Sequence, residues 1–274
     1  MMKTTTTTKK GWNCAMKELD VEYMNEESIH SFEEEIRLLE LLPAHRNIVR
    51  CLFHDRKDNK IRLFMTKYSS SLRTIINKRR YGEGSGGPGA SGSAKTIDSS
   101  QLLPASDIIR FCLDIIRGLE FLHDNHIIHR DLKSDNIFVL LDERKNVQLC
   151  AIADFDSAKQ MVSNTQAKTI VGTPGWMAPE VLNARSVGSY SEMADIYSFG
   201  LIIYELLTLK MPYEETHPFA IPALVLEGKR PPLEHHHFED SFTDLIQLYL
   251  QCTSLNPEER PNASSIKSRL LQMA

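Results

Sequence analysis

The sequence predicts an α+β fold in which a small strand-rich part precedes a larger helical part. Three observations carry this. Short β-type runs are confined to the first quarter of the chain, strongly periodic helical patterns dominate the remainder, and those patterns continue to the last residues.

The β-type runs lie around residues 14–17, 48–54 and 61–67. Between the first two, Ile29, Phe32, Ile36, Leu39 and Leu42 recur at helical spacing, and Pro43 closes the run. A second helix starts at Pro104-Ala105-Ser106 and carries Ile108, Phe111, Ile115, Leu119 and Leu122 on one face. A third, 193–207, is apolar almost all round, as expected of a helix buried within a lobe. Helical patterns at 242–252 and 263–273 finish the chain. Two segments are unsuited to a core. Residues 1–10 hold a lysine-flanked threonine run and are expected to be a disordered start. Residues 82–100, GEGSGGPGASGSAKTIDSS, are expected to form a flexible surface insertion within a domain.

Composition narrows the function classes. The 274 residues are 42% hydrophobic and 25% charged, with a formal charge of −4, which argues against a general nucleic-acid binder. The five cysteines are scattered without a C-x-x-C pair, which suits free thiols in a reducing compartment. No stretch reads as a membrane span and the start has no apolar signal core, so a cytoplasmic location is expected. His235-His236-His237 reads as a surface loop, because adjacent histidines on a strand face opposite ways and no ligand-spaced partners accompany them.

The chemistry concentrates in His129-Arg130-Asp131-Leu132-Lys133-Ser134-Asp135-Asn136. Phosphoryl transfer to a hydroxyl needs a carboxylate to orient the acceptor and take its proton, and Asp131 suits that role. Lys133 supplies a cation for the transferring group, and the Asn136 amide an oxygen ligand for Mg²⁺, a hard ion. Downstream, an apolar run over 149–153 leads to Asp154-Phe155-Asp156, where Asp154 is placed to chelate the same metal. Gly172-Thr173-Pro174-Gly175-Trp176-Met177-Ala178-Pro179-Glu180 follows.

In order and spacing these strings resemble the signature set of the eukaryotic protein kinases. Within that superfamily the chain is most similar to the tyrosine-kinase-like group, which includes Raf-like, mixed-lineage and leucine-rich-repeat kinases. GTPGWMAPE followed by Ala194-Asp195-Ile196-Tyr197-Ser198-Phe199-Gly200 carries that likeness. Lys133, with Thr173 before Pro174, resembles the Ser/Thr-specific type. The resemblance implies a bilobal protein-kinase fold with a β-rich N-lobe at 11–67, truncated at its start, and a helical C-lobe at 68–274. It also implies ATP and Mg²⁺ as cofactors, and a protein substrate with a Ser or Thr acceptor.

The same resemblance assigns further residues. Ala15-Met16-Lys17 is similar to the strand motif whose lysine meets the nucleotide phosphates, and Glu35 to that lysine's carboxylate partner, although Glu33 and Glu34 stand beside it. Thr66, Lys67 and Tyr68 resemble the gatekeeper and adenine-binding hinge, with Met65 as the rival gatekeeper. Asp195 is similar to the aspartate that braces the catalytic loop, and Glu180 and Arg260 to a structural ion pair. Arg130 is similar to a residue that meets a phosphate on the following segment, where Ser163, Thr165 and Thr169 offer hydroxyls to an upstream kinase. Regulatory domains outside this sequence are a further expectation.

Two features depart from the pattern. Asp156 stands where the family has glycine, which is expected to stiffen the backbone there. Only sixteen residues precede Lys17, and Gly11 is the only glycine among them, so the glycine-rich phosphate loop is not present before it. The alternative reading is therefore a pseudokinase or an ATP-binding scaffold without efficient turnover.

Overall fold

Four antiparallel strands and one long helix build the first part of the chain. The strands are β1 (Lys3–Lys9), β2 (Trp12–Asp20), β3 (Cys51–Lys57) and β4 (Lys60–Thr66), in the spatial order β1-β2-β4-β3. The computed structural model describes residues 3–9, 12–82, 97, 99–160, 172–183, 190–233 and 240–274. The threonine run corrects the first expectation: it is not a disordered start but strand β1, with Thr4 opposite Lys17 and Thr7 opposite Cys14. Threonine is β-branched and suits an extended strand. Strand β2, which bears Lys17, is consequently interior, paired on its other side with β4.

Helix α1 (Glu26–Leu41) connects β2 to β3. The Asn25 side chain caps its start by accepting the Ser28 N–H, and Pro43 lies beyond its end. Phe32, Glu35, Ile36 and Leu39 form its buried face, as the periodicity requires.

The second part begins with β5 (Ser70–Ser71), α2 (Leu72–Tyr81) and α3 (Ala105–Asp124). Short strands follow at β6 (Ile127–Ile128), β7 (Ile137–Leu141), β8 (Val147–Ile152) and β9 (Lys159–Gln160). They make a three-stranded sheet β5-β7-β8 and a two-stranded pair β6-β9. The remaining helices are α4 (Pro179–Leu182), α5 (Met193–Thr208), α6 (Ile221–Leu226), α7 (Thr243–Cys252) and α8 (Ala263–Met273). Every residue of α5 from Ala194 to Thr208 is buried, as its all-round apolar pattern predicts.

The run at 48–54 becomes a strand only from Cys51. Ile48 instead makes an isolated parallel bridge to Ile152, and Asn47 lies against α3. This contact joins the end of the α1 connection to the strand that leads into Asp154. Gly118 permits it, because a Cβ there would meet the Asn47 carbonyl oxygen at 2.7 Å and the Ile152 side chain at 2.9 Å. Backbone cannot swing aside as a side-chain tip can. Gly118→Ala is therefore expected to destabilise the fold by about 1–3 kcal/mol, the usual cost of overpacking, readable as a lower denaturant midpoint.

Most of the proposed insertion at 82–100, all three histidines at 235–237, and Gly11 lie outside the described residues.

Candidate active site

Lys17 is placed by strand alternation. It shares a face of β2 with Ala15 and Leu19, directed toward α1 and the space below the sheet. Its Nζ donates to both carboxylate oxygens of Glu35, at 3.0 and 2.8 Å, and to Asp154 Oδ1 at 2.8 Å. Helical phase separates Glu35 from its neighbours. Glu33 pairs with Arg56 and Glu34 lies near Arg37, both at the surface, while Glu35 is buried. The Phe155 N–H also donates to Glu35 Oε1 at 3.3 Å, so one carboxylate fixes both the lysine and the start of the Asp154 turn. Burial works against the Lys17 charge, but Glu35 and Asp154 outweigh it and hold the ammonium pKa above the ordinary lysine range. Burial likewise opposes ionisation of Asp154, and the charge of Lys17 more than reverses it, leaving the carboxyl below its ordinary value.

Asp154 takes φ +65°, a left-handed conformation that aspartate tolerates better than most residues. Phe155, buried beneath it, meets the His129 ring edge-on at 5.2 Å between centroids. Asp156 does not take a positive φ, so the conformational freedom that glycine would supply is not used here. The expected stiffening is thus no strain on this backbone, and the Asp156 carbonyl accepts the Ser31 hydroxyl at 2.9 Å.

Asp195, fully buried on α5, organises the catalytic loop. Its two oxygens accept the backbone N–H groups of His129 at 2.9 Å and Arg130 at 3.0 Å, and His123 Nε2 lies 3.1 Å away. Burial pushes the Asp195 carboxyl up, but the His123 bond and the His129 contacts bring it below the ordinary aspartate range. A depressed carboxyl pKa adds stability above the unfolded-state value, and that stability is lost as the pH falls through the lower folded value.

Asp131 sits in the loop so held. Lys133 Nζ donates to its Oδ2 at 2.7 Å, and the Thr173 hydroxyl donates to its Oδ1 at 2.7 Å. Thr173 in turn accepts from Lys133 at 2.6 Å, closing a three-membered polar ring. Asn136 Nδ2 donates to the Asp131 carbonyl at 2.8 Å and to its Oδ2 at 3.2 Å. These bonds engage the amide nitrogen and leave the Asn136 oxygen for another group.

One cavity of about 510 Å³ is lined by Ala15, Lys17, Thr66, Lys67, Tyr68, Asn136 and Asp154, with Glu35 at its back. The structure brings together every nucleotide-site residue expected from the sequence. Met65, the rival gatekeeper, also lines it, and is buried where Thr66 is half-buried. Sequence reasoning missed Phe138, Ser70 and Thr5, which line the same cavity. Phe138 was not legible, because it belongs to β7, whose uniformly apolar residues show no alternation to read.

Glu180 and Arg260 form the expected pair, bidentate at 2.6 and 2.8 Å. Arg130 donates through Nε to the Ser157 carbonyl and lies beside Tyr190. Ser163, Thr165 and Thr169, expected to present a phosphate to Arg130, lie outside the described residues.

A buried lysine–glutamate pair above a cavity, and a braced aspartate–lysine–asparagine loop below it, define a phosphotransferase-type site. Residues 2–270 match the protein kinase domain family, and the chain belongs to that family. It is 35% identical over 97% of its length to the kinase and exchange factor for Rac B of Dictyostelium discoideum, covering 22% of that protein. It is 31% identical over 95% of its length to the RGS domain-containing serine/threonine-protein kinase A of the same organism, covering 20% of that protein. Against the leucine-rich repeat serine/threonine-protein kinase 1 of Caenorhabditis elegans it is 36% identical over 56% of its length, covering 6% of the relative. The chain therefore spans about a fifth or less of these relatives. Among the described residues no helix is long and apolar enough to cross a membrane.

Proposed function

We propose that this chain is a catalytic unit that transfers the γ-phosphate of ATP to serine or threonine hydroxyls of proteins, with Mg²⁺ as the metal. The observation that carries the reading is the Lys17–Glu35–Asp154 arrangement at 2.8–3.0 Å in a cavity that Asn136 also lines, with Asn136 in turn bonded to Asp131. A pseudokinase would have no need to keep every one of these charges in register.

The donor set fits the metal. Mg²⁺ retains waters and substrate oxygens and takes only one or two carboxylates from protein. Asp154, kept ionised beside Lys17, is one such carboxylate, and the amide oxygen of Asn136 is a second, neutral oxygen donor; no cluster of three acidic, histidine or cysteine ligands is found among the described residues. When bound, the ion supplies neutralisation of phosphate charge. Lys17, held by Glu35, binds the nucleotide phosphates. Ala15 and the Thr66–Tyr68 segment enclose the base. Asp131 orients the acceptor hydroxyl and receives its proton, while Lys133 steadies the departing phosphoryl group. Thr173, bonded to both, keeps their separation fixed. The site serves signalling by phosphorylation, in a cytoplasmic setting and with regulatory domains of the sort the relatives' names record.

Phosphoamino-acid analysis of products tests the substrate class, with phosphoserine or phosphothreonine expected and phosphotyrosine alone overturning it. Asp154→Asn is expected to weaken Mg-ATP binding by about ten- to a hundredfold, for the loss of a charge-assisted contact of roughly 1.5–3 kcal/mol. Calorimetry reads this directly. Unchanged affinity in that variant would remove Asp154 from the metal site.

A further inference from the structure

A second cavity, of about 540 Å³, lies between the end of α1, the connection at 43–50 and the start of β3, and the phosphotransfer roles above do not use it. The half-buried Leu42, Leu52 and Tyr68 give it an apolar wall. Arg46 and Arg50 also line it, both exposed and neither in an ion pair among the described residues. Glu40, the one carboxylate among the described residues that line it, is already bonded to His54 Nδ1 at 2.8 Å. Burial and the Arg46 charge hold the His45 imidazole below the ordinary histidine range, so it adds no charge at neutral pH. The cavity thus offers two unpaired guanidinium groups beside an apolar wall. Its complement is a carboxylate beside an apolar side chain, since guanidinium forks match carboxylates.

Main chain can meet it too. β3 is an outer strand of its sheet, paired with β4 alone, and a register shift between Cys51 and Phe53 leaves Leu52 without a partner in β4. Backbone groups along such an edge are open to an extended segment. Farther along, the exposed Arg56 and Lys57 discourage pairing, so the opening is confined to the residues beside the cavity. A short peptide suits this arrangement better than a free anion, which would leave the wall and the strand edge unused.

The cavity also shares Thr66 and Tyr68 with the nucleotide cavity. The Thr66 N–H donates to the Arg50 carbonyl at 3.0 Å. The Tyr68 ring lies 6.0 Å from that of Phe138, which lines the nucleotide cavity. We propose that this cavity docks a peptide segment in which apolar side chains are flanked by carboxylates, and that its occupancy tightens nucleotide binding. Leu42, Leu52 and Tyr68 receive the apolar side chain, and Arg46 and Arg50 the carboxylates. The coupling is one of order. A 66–68 segment already held from behind loses less conformational freedom when the base arrives.

Only the nucleotide arm of the test rests on the kinase reading. The probe is a blocked peptide of Leu-Val-Leu with two glutamates on each side, and its control carries lysines in place of the glutamates. Calorimetry is expected to show saturable binding of the acidic peptide, with the control weaker by about tenfold or more. Arg46→Ala combined with Arg50→Ala should weaken the acidic peptide by a similar factor. Neither side chain is buried or paired, so this variant should unfold at the wild-type temperature and, without peptide, bind Mg-ATP as wild type does. Saturating peptide should tighten Mg-ATP about fivefold in the wild type, and Mg-ATP should tighten the peptide by the same factor. Equal binding of the two peptides, an unaffected double variant, or an unchanged Mg-ATP affinity at saturation overturns the proposal. So does displacement of the peptide by inorganic phosphate at like concentration, which would make this a free-anion site. Self-association on sedimentation that the double variant abolishes would assign the face to a second copy and overturn it as well. A chain that binds no Mg-ATP sinks the kinase reading, while the peptide comparison still decides the docking site.

Discussion

Asp131→Asn is expected to lower kcat by about 10²–10⁴-fold, the usual contribution of a positioned general base, while nucleotide binding survives. The substitution conserves shape but leaves one acceptor oxygen where there were two. In the native ring Oδ1 receives the Thr173 hydroxyl and Oδ2 the Lys133 ammonium. An asparagine amide nitrogen can accept neither, and it cannot take the proton of an acceptor hydroxyl. Asp131 does not line the nucleotide cavity, so the Lys17, Asp154 and hinge contacts remain. Single-turnover rates with a peptide, beside calorimetry with Mg-ATP, separate the two quantities. An asparagine variant as fast as wild type would remove Asp131 from the chemistry, and loss of nucleotide affinity would show that its role is structural.

The second large effect falls on stability. Glu180→Ala leaves the Arg260 guanidinium, whose side chain has 0% exposure, without its counter-charge. Arg260 keeps its bonds to the carbonyls of Met193 at 2.8 Å and Ser254 at 2.9 Å, but carbonyl dipoles do not replace a bidentate carboxylate. Breaking a buried pair by removing one partner costs about 3–5 kcal/mol, a large share of the roughly 5–15 kcal/mol that holds an ordinary domain folded. Pairing the change with Arg260→Met should recover part of the loss, because no unpaired charge is then left inside. Urea unfolding of the two variants reads the difference, and an unchanged midpoint for Glu180→Ala would show that α4 is not anchored through this pair.

Much of the fold was legible because its signals are local. The spacing of Phe32, Ile36 and Leu39 sets the buried face of α1. Glu35 lies three positions after Phe32 and four before Leu39, but Glu33 lies three before Ile36, so spacing narrowed the choice and packing of α1 made it. The all-round apolar character of 193–207 likewise announced a buried helix. The strands were harder. Residues 137–141 are uniformly apolar and lack the alternation that marks a strand with one wet face, so β7 and its pairing with β8 were not anticipated. The threonine run looked like low complexity, yet pairing with β2 gives its backbone groups partners.

The sequence by itself determined the α+β class, the five longest-patterned helices and the chemistry of the 129–136 loop and Asp154, since these follow from spacing and residue chemistry along the chain, while the resemblance to a known family supplied Lys17, Glu35 and Asp195. Tertiary structure alone decided which charges compensate one another. Lys17 meets Asp154 across 137 positions, and Arg73, Ser134 and Trp176 converge on Glu205 from three segments. It also decided that Asp156 is unstrained, because its φ depends on the turn it occupies. The physical reason is common to these cases. Hydrogen bonds and ion pairs act over about 3 Å, and which groups come that close is set by how helices and sheets pack, a property that no local pattern encodes.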